Sequence, residues 1–297
     1  MRRVAAAAVH LLTLLLALAG SSSTWAWGAS GHRISALVAE ELLSPAARSG
    51  ITALMGRVDL AADAVVLDQQ KDALAQRMPG SRRWHYDAQP LCAADAAAGG
   101  HCAGGHCATA QIARHAAVLA DTTRSDDSRR FALLVLVHVV ADLAQPLHAI
   151  THGDGGGNGV AVRYRLPGDR PGRALRSDNL HAAWDSAFVR GAFAKVRDER
   201  VVARRLLDGM DAATRTRWAQ GSAADWQAES HQLAKARIYA PLYAQFAGLR
   251  CPAPHADAAR PVVLDDAAVR DAIALVPQQL ARAGVRIAAV LNQAFAP

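Results

Sequence analysis

The sequence predicts an all-α protein: a single, mainly helical domain, with a small β element near residues 160–166. Three observations carry this expectation. Alanine, leucine and arginine dominate the 297 residues, and long runs of alternating β-branched residues are absent. Apolar residues recur at the 3.6-residue spacing of amphipathic helices in stretch after stretch. Helix-start signals stand at Ser44-Pro45 and Asp265-Asp266, each just ahead of apolar positions.

Residues 1–26 read as a secretory signal peptide. Met1-Arg2-Arg3 is basic, the stretch from Val4 to Ala19 is apolar, and Gly20 to Ala26 ends in small residues. The apolar part is roughly 16 residues, shorter than the about 20 that span a bilayer. Cleavage after Ala26 leaves a domain of residues 27–297, starting Trp27-Gly28-Ala29-Ser30-Gly31-His32. The leader holds two arginines and no acid, so the net charge falls from +7 to +5. That surplus is compatible with a polyanionic partner and equally with plain solubility. No later segment is apolar for long enough to span a membrane, so no membrane association is expected once the leader is gone.

Helical spacing then appears over residues 34–43, 108–121, 130–144, 178–190, 201–213, 223–246 and 266–295. Two loops interrupt it. Residues 90–107 hold Pro90, several glycines and Cys92, Cys102 and Cys107. Residues 151–178 hold the run Gly153-Asp154-Gly155-Gly156-Gly157-Asn158-Gly159, then Pro167-Gly168 and Pro171-Gly172. Within that second loop, Val160 to Leu166 alternates as a short strand would. Residues 252–264, rich in proline and alanine, read as a connecting loop. No internal repeat is present. With Cys251 there are four cysteines, and an exported chain favours disulfides. Three pairings are possible. The small glycine-rich loop favours Cys102–Cys107, with Cys92–Cys251 as its complement. A zinc knuckle from His101, Cys102, His106 and Cys107 is the rival reading.

The chemistry-bearing pattern lies in the helix over residues 130–144. Leu133 to Ala141 is apolar except for His138, so the segment is buried, and a buried imidazole is costly without a partner. Asp142 lies four residues on and projects from the same face. Pro146 ends the helix and His148 follows. His181 and Asp185 repeat the i, i+4 spacing. Imidazole nitrogen and carboxylate oxygen together suit zinc. A free α-amine at Trp27, with its neighbouring carbonyl and His32, could form a further chelate.

The motifs Trp-Gly-x-x-Gly-His, Trp84-His85-Tyr86, His138-x-x-x-Asp142-x-x-Gln145-Pro146-Leu147-His148, Gly156-Gly157-Asn158 and Asn179-Leu180-His181-x-x-Trp184-Asp185 resemble the zinc-dependent single-strand nuclease family of the P-one/S-one type. That family is related to the bacterial zinc phospholipases C. The resemblance implies three zinc ions. Asp68, His85, His138 and Asp142 would hold one; His148, His181 and Asp185 a second; Trp27, His32 and a bridging Asp142 the third. It also implies the disulfides Cys92–Cys251 and Cys102–Cys107. The family's Trp-Ala-Asp is replaced here by Val66-Leu67-Asp68, so Asp63 competes with Asp68 for the first carboxylate; register and the gap to His85 favour Asp68. The acid after His85-Tyr86, Asp87, falls one residue early. The stretch from His148 to His181 is longer than in the fungal enzymes.

The implied activity is that of an exported endonuclease and 3′-nucleotidase, acting on single-stranded DNA and RNA and on 3′-nucleotides to leave 5′-phosphorylated products. Zinc lowers the pKa of bound water towards about 7 and so supplies hydroxide at neutral pH. Asp68 is the candidate catalytic residue, orienting that hydroxide. Tyr86 is the candidate base-stacking residue, and stacking requires an unstacked base. Asn158 reads as structural, the 153–159 loop as a flexible turn, and His101, His106, His115, His152, His231 and His255 as surface residues. The protein is expected to act as a monomer. Two other readings remain at this stage: a phospholipase C-like lipid hydrolase, and a zinc-binding protein without turnover.

Overall fold

A computed structural model describes residues 27–92, 100–244 and 261–297. The leader (residues 1–26), Cys251 and His255 lie outside the described residues. The architecture is mainly helical, with only short strands. Its axis is helix α7 (Asp126–Leu143), capped by Ser125, whose hydroxyl accepts from Ser128 N, with Asp126 and Asp127 in the first turn. From Val135 to Ile150 every residue is buried. The helix has neighbours on all sides: α1 (Ala29–Glu41), α2 (Pro45–Met55), the short α3 (Leu60–Asp63) and α4 (Val66–Gln69), α6 (Ala108–Ala120), α12 (Ala223–Ala234) and α14 (Asp266–Ala294). Each fully buried Leu or Val there contributes about 1.5–3 kcal/mol.

The predicted helices over residues 34–43, 108–121, 130–144 and 266–295 correspond to α1, α6, α7 and α14. The start signals act as read. The Ser44 side chain accepts from Ala47 N ahead of α2, and Asp265 accepts from Ala268 N ahead of α14. Other elements differ. The segment after the Ser44 cap breaks into α2, which buries Ala47, Ile51 and Leu54 on one face, and the shorter α3, α4 and α5 (Lys71–Arg77). The helix read over 178–190 begins at Leu180, because residues 176–179 form a strand; it proceeds as α8 (Leu180–Ala182), a π-helical turn (Ala183–Ala187) and α9 (Phe188–Ala192). The helix read over 201–213 is α10 (Glu199–Asp208), stopped at Gly209 and followed by α11 (Ala212–Ala219). After α12, a π-helical turn (Lys235–Tyr239) leads into α13 (Ala240–Ala244).

The β element predicted near 160–166 is β3 (Ala161–Tyr164), the centre of a three-stranded sheet with β4 (Arg176–Asn179) antiparallel and β5 (Val262–Val263) parallel. The pair β1 (Gln89–Pro90) and β2 (Ile150–Thr151) is parallel. It pins the segment after His85 to the segment after His148. Cys102 and Cys107 are bonded to each other, which removes the zinc-knuckle reading. Cys92 is also disulfide-bonded; its expected partner Cys251 lies outside the described residues. Among the described residues no helix is long and apolar enough to cross a membrane.

Helices α1 and α14 cross closely at Gly284. A Cβ there would stand 2.5 Å from Val38 Cβ and 2.6 Å from the Ser35 carbonyl oxygen. The Gly284→Ala change gains about 1 kcal/mol of helix propensity. The backbone oxygen cannot swing away, so the overpacking cost of about 1–3 kcal/mol prevails. Gly284→Ala is expected to lower the thermal midpoint, measured by circular dichroism; an unchanged or raised midpoint contradicts this account of the crossing.

Candidate metal centre

Asp142, fully buried, occupies the foot of α7. Its Oδ2 lies 2.8 Å from His85 Nδ1 and 3.1 Å from His138 Nε2. Its Oδ1 lies 3.3 Å from His32 Nε2 and 3.8 Å from His148 Nδ1. The two oxygens thus face different imidazoles. Asp68, on α4, places Oδ1 3.8 Å from His138 Nε2. In a further group, His181 Nε2 lies 3.2 Å from His148 Nε2 and 3.4 Å from Asp185 Oδ2. Donor atoms lie within 4.8 Å of one another in three sets: His32–His138–Asp142, Asp68–His85–His138 and His148–His181–Asp185. All these residues are buried.

This donor set fits cations. Two donors about 2.1 Å from a tetrahedral zinc stand about 3.4 Å apart, the range seen here. Neither ring nitrogen of His32 makes a hydrogen bond despite complete burial, and Asp142 Oδ1 and Asp185 Oδ2 also lack one. Buried polar atoms without partners cost about 1–3 kcal/mol each. His138 Nε2 and His85 Nδ1 face each other at 2.9 Å, an approach that calls for a proton or a cation between them.

Backbone carbonyls orient the rings. His138 Nδ1 donates to Ala64 O at 2.7 Å, His148 Nδ1 to His85 O at 2.8 Å, and His181 Nδ1 to Gly156 O at 2.7 Å. Each bond leaves Nε2 as the free lone pair. Gln145 Nε2 donates to Asp185 Oδ1 at 2.8 Å, while its Oε1 accepts from Leu147 N at 2.6 Å. Burial pushes the Asp185 carboxyl well above its ordinary value, opposed by Gln145 and reinforced by the charges of Asp142 and Asp68. Burial alone would also raise Asp142, but the His138 charge and the close approach of the His138, His32 and His85 rings hold it well below. Burial drives the His148 and His181 rings down, towards the neutral form that can ligate. His138, despite burial, is raised to about 9 by Asp142.

Trp27 is fully buried in the main core, and the next amide, Gly28 N, donates to Asp185 O at 2.7 Å. The start of α1 is therefore laid beside the third donor set. Asp63 is placed elsewhere: it is paired with Arg57 at 2.9 Å. His138 belongs to two donor sets at once, and its ring stacks on His32 at 4.0 Å between centroids. Tyr86 is half-buried, its ring 4.8 Å from the His148 ring and 6.3 Å from that of His181. Asp87 faces away, accepting from the Thr109 hydroxyl.

Several supporting residues escape sequence reasoning. The 153–159 loop is not a loose turn. Gly156 adopts φ 65°, a Cβ there would collide with the Leu147 carbonyl, and its own carbonyl orients His181. Tyr239 donates to both Asp154 oxygens, at 3.0 and 2.8 Å, locking the loop from a turn far along the chain. Asn158 donates to Gly155 O at 2.8 Å, a structural role. His115 and His152 are buried rather than at the surface. His115 packs on Trp84 and Phe131, and His152 on Tyr239 and Tyr243. The one available signal was the polar residue Gln145, embedded between a buried helix and proline. Gln145→Leu is expected to weaken cation binding at His148–His181–Asp185 by about 10–100-fold, the usual cost of losing a bond that orients a ligand. Titration of the metal-stripped protein by calorimetry reads this directly, and Gln145→Glu, which keeps the size, separates orientation from packing. Unaltered binding in both variants removes Gln145 from that role.

Residues 27–296 match the S1/P1 nuclease family. Endonuclease 2 of Arabidopsis thaliana is 26% identical over 278 residues, which cover 91% of this chain and 90% of that protein. Endonuclease 4 of the same plant is 28% identical over 164 residues, covering 55% of this chain and 50% of that protein. Nuclease P1 of Penicillium citrinum is 28% identical over 165 residues, or 54% of this chain and 57% of that protein. The matches to these last two thus span about half of their length. A buried carboxylate faced by four imidazoles, on a chain that matches from Trp27 nearly to its end, leads to one assignment: the chain belongs to the S1/P1 nuclease family.

Proposed function

We propose that this chain is an exported, zinc-dependent endonuclease that hydrolyses single-stranded DNA and RNA to 5′-phosphorylated products and removes the phosphate of 3′-nucleotides. The observation that carries the reading is the convergence of three sets of buried His/Asp donors around Asp142. Trp27 and His32 with Asp142, Asp68 with His85, His138 and Asp142, and His148 with His181 and Asp185 would hold three zinc ions. When bound, such cations supply a nucleophilic water at neutral pH and neutralise charge on a phosphoryl group.

The chain's own residues supply position. Asp142 directs one oxygen to each neighbouring donor set and fixes their spacing. Asp68, whose Oδ1 lies 3.8 Å from His138 Nε2, would accept a hydrogen bond from the attacking water and orient it. The carbonyls of Ala64, His85 and Gly156 hold three rings at fixed angles, so little reorganisation accompanies reaction. Tyr86 offers an aromatic face next to His148, where a base can stack for about 1–3 kcal/mol. A paired base inside a duplex cannot present that face, which accounts for a preference for single strands.

Export is supported by the composition of residues 1–26 and by the family match beginning at Trp27. Cleavage there would free the Trp27 amine, which titrates near about 7.7 and is a ligand once deprotonated.

The purified mature protein is expected to carry zinc and to release acid-soluble nucleotides from denatured DNA and RNA much faster than from duplex. Chelation should abolish the turnover and zinc should restore it. Zinc binding without turnover would make it a storage protein, and phosphocholine release from lipid without nucleotide release would make it a phospholipase. His138→Ala should remove both metal and activity. Separately, sequencing of the exported protein is expected to begin at Trp27; a start upstream of Trp27 contradicts a site built on its amine.

A further inference from the structure

The segment between β3 and β4 carries a charge that the metal centre leaves unexplained. Residues 163–176 contain Arg163, Arg165, Arg170, Arg173 and Arg176 with a single acid, Asp169. That is a surplus of four positive charges, against +7 for the whole chain. Arg176 is committed: it grips Asp169 through two bonds of 3.0 and 2.7 Å. Arg173 reaches the same carboxylate only at 4.0 Å. Arg163, Arg165 and Arg170 have no carboxylate partner among the described residues, and Arg165 donates only to the Arg170 carbonyl at 3.3 Å.

The fold leaves Arg163, Arg170 and Arg173 exposed and Arg165 half-buried. Along β3, Val162 and Tyr164 are buried, Tyr164 against Phe188, while Ala161 and Arg163 are exposed. Opposite Arg163 stand Ser177 on β4 and Val263 on β5, and Val263 is 52% exposed. The tip stands clear of the rest of the molecule: a Cβ on Gly168 or Gly172 would meet nothing within 4 Å. The base of the hairpin is the metal centre itself. Val160 O accepts from Leu180 N at 2.8 Å, and the adjoining loop supplies the carbonyl that orients His181. At about 3.3 Å per residue, the strand arginines lie within about 10–20 Å of His181.

We propose that this exposed arginine face is an exosite for the phosphate backbone of a single-stranded nucleic acid whose scissile bond lies at the metal centre. It rests on the nuclease reading above. Guanidinium groups recognise phosphate by paired, planar hydrogen bonds, and the exposed Val263 offers apolar contact to sugar or base. The face has no sequence preference, because phosphate contacts position a strand without reading it. Its consequence is a preference for polymers over short substrates, since a dinucleotide does not reach the hairpin.

The test compares the metal-loaded protein with the variant R163Q/R165Q/R170Q/R173Q, leaving Arg176 in place. A control variant, R200Q/R204Q/R205Q/R215Q, removes the same charge from α10 and α11. Binding of a phosphorothioate single strand of about 16 nucleotides is followed against salt. The hairpin variant should lose about 0.7 in the slope of log K against log salt for each phosphate contact removed. The control should keep the parental slope, and hydrolysis of a dinucleotide should be unchanged in both. A parental slope in the hairpin variant, an equal loss in the control, or a proportional fall in dinucleotide turnover overturns the exosite. Failure of the parent to cleave any nucleic acid sinks the nuclease reading instead, while the binding arm still decides whether the face holds phosphate.

Discussion

The burial of Asp142 governs this structure. A carboxylate with no solvent contact costs several kcal/mol unless it is well compensated, and it sits near the end of a helix that is buried throughout from Val135 onward. Four imidazoles face it, from α1, from the turn before β1, from α7 itself and from the turn before β2. That arrangement forces distant segments to meet at one point. The close crossing of α1 and α14 at Gly284, the parallel β1–β2 pairing and the collapse of the glycine loop onto Leu147 all deliver their residues to it.

Compensation is incomplete within the chain. His32 has two unpartnered ring nitrogens, and Asp142 and Asp185 each keep an unpartnered oxygen. Around the donor sets, other buried side chains hold main-chain carbonyls. Gln227 bridges the Asp87 and Ala149 carbonyls at 3.0 and 2.9 Å, Ser230 donates to Leu143 O at 2.7 Å, and Gln279 donates to Ala144 O at 3.0 Å. Four unmatched atoms, both His32 nitrogens, Asp142 Oδ1 and Asp185 Oδ2, lie within the donor sets themselves. Nitrogen and carboxylate oxygen left unpaired at ligand spacing suit a cation.

Around this rigid centre the periphery differs in kind. The hairpin β3–β4 is anchored at its base by main-chain bonds and leaves Arg163, Arg170 and Arg173 exposed. In the proposed reading the work is divided: buried donors fix where reaction takes place, and the outer arginines hold the polyanion.

Much of the site was legible in the sequence. His138 stood out because a lone imidazole interrupts an apolar run, and Asp142 followed from a spacing of four on one helix face. The caps Ser44 and Asp265 and the short strand at Ala161–Tyr164 were legible for the same reason: each is a local pattern with a local physical cause. What only the tertiary structure decided is non-local. The pairing of Asp63 with Arg57, and so its distance from the donor sets, leaves no periodic trace. Nor does the Tyr239–Asp154 lock, or the sharing of His138 between two donor sets. Spacing along the chain encodes which side chains share one face of one element. Which faces meet depends on packing among elements, and that is set by the volume and hydrogen-bond demands of the assembled core.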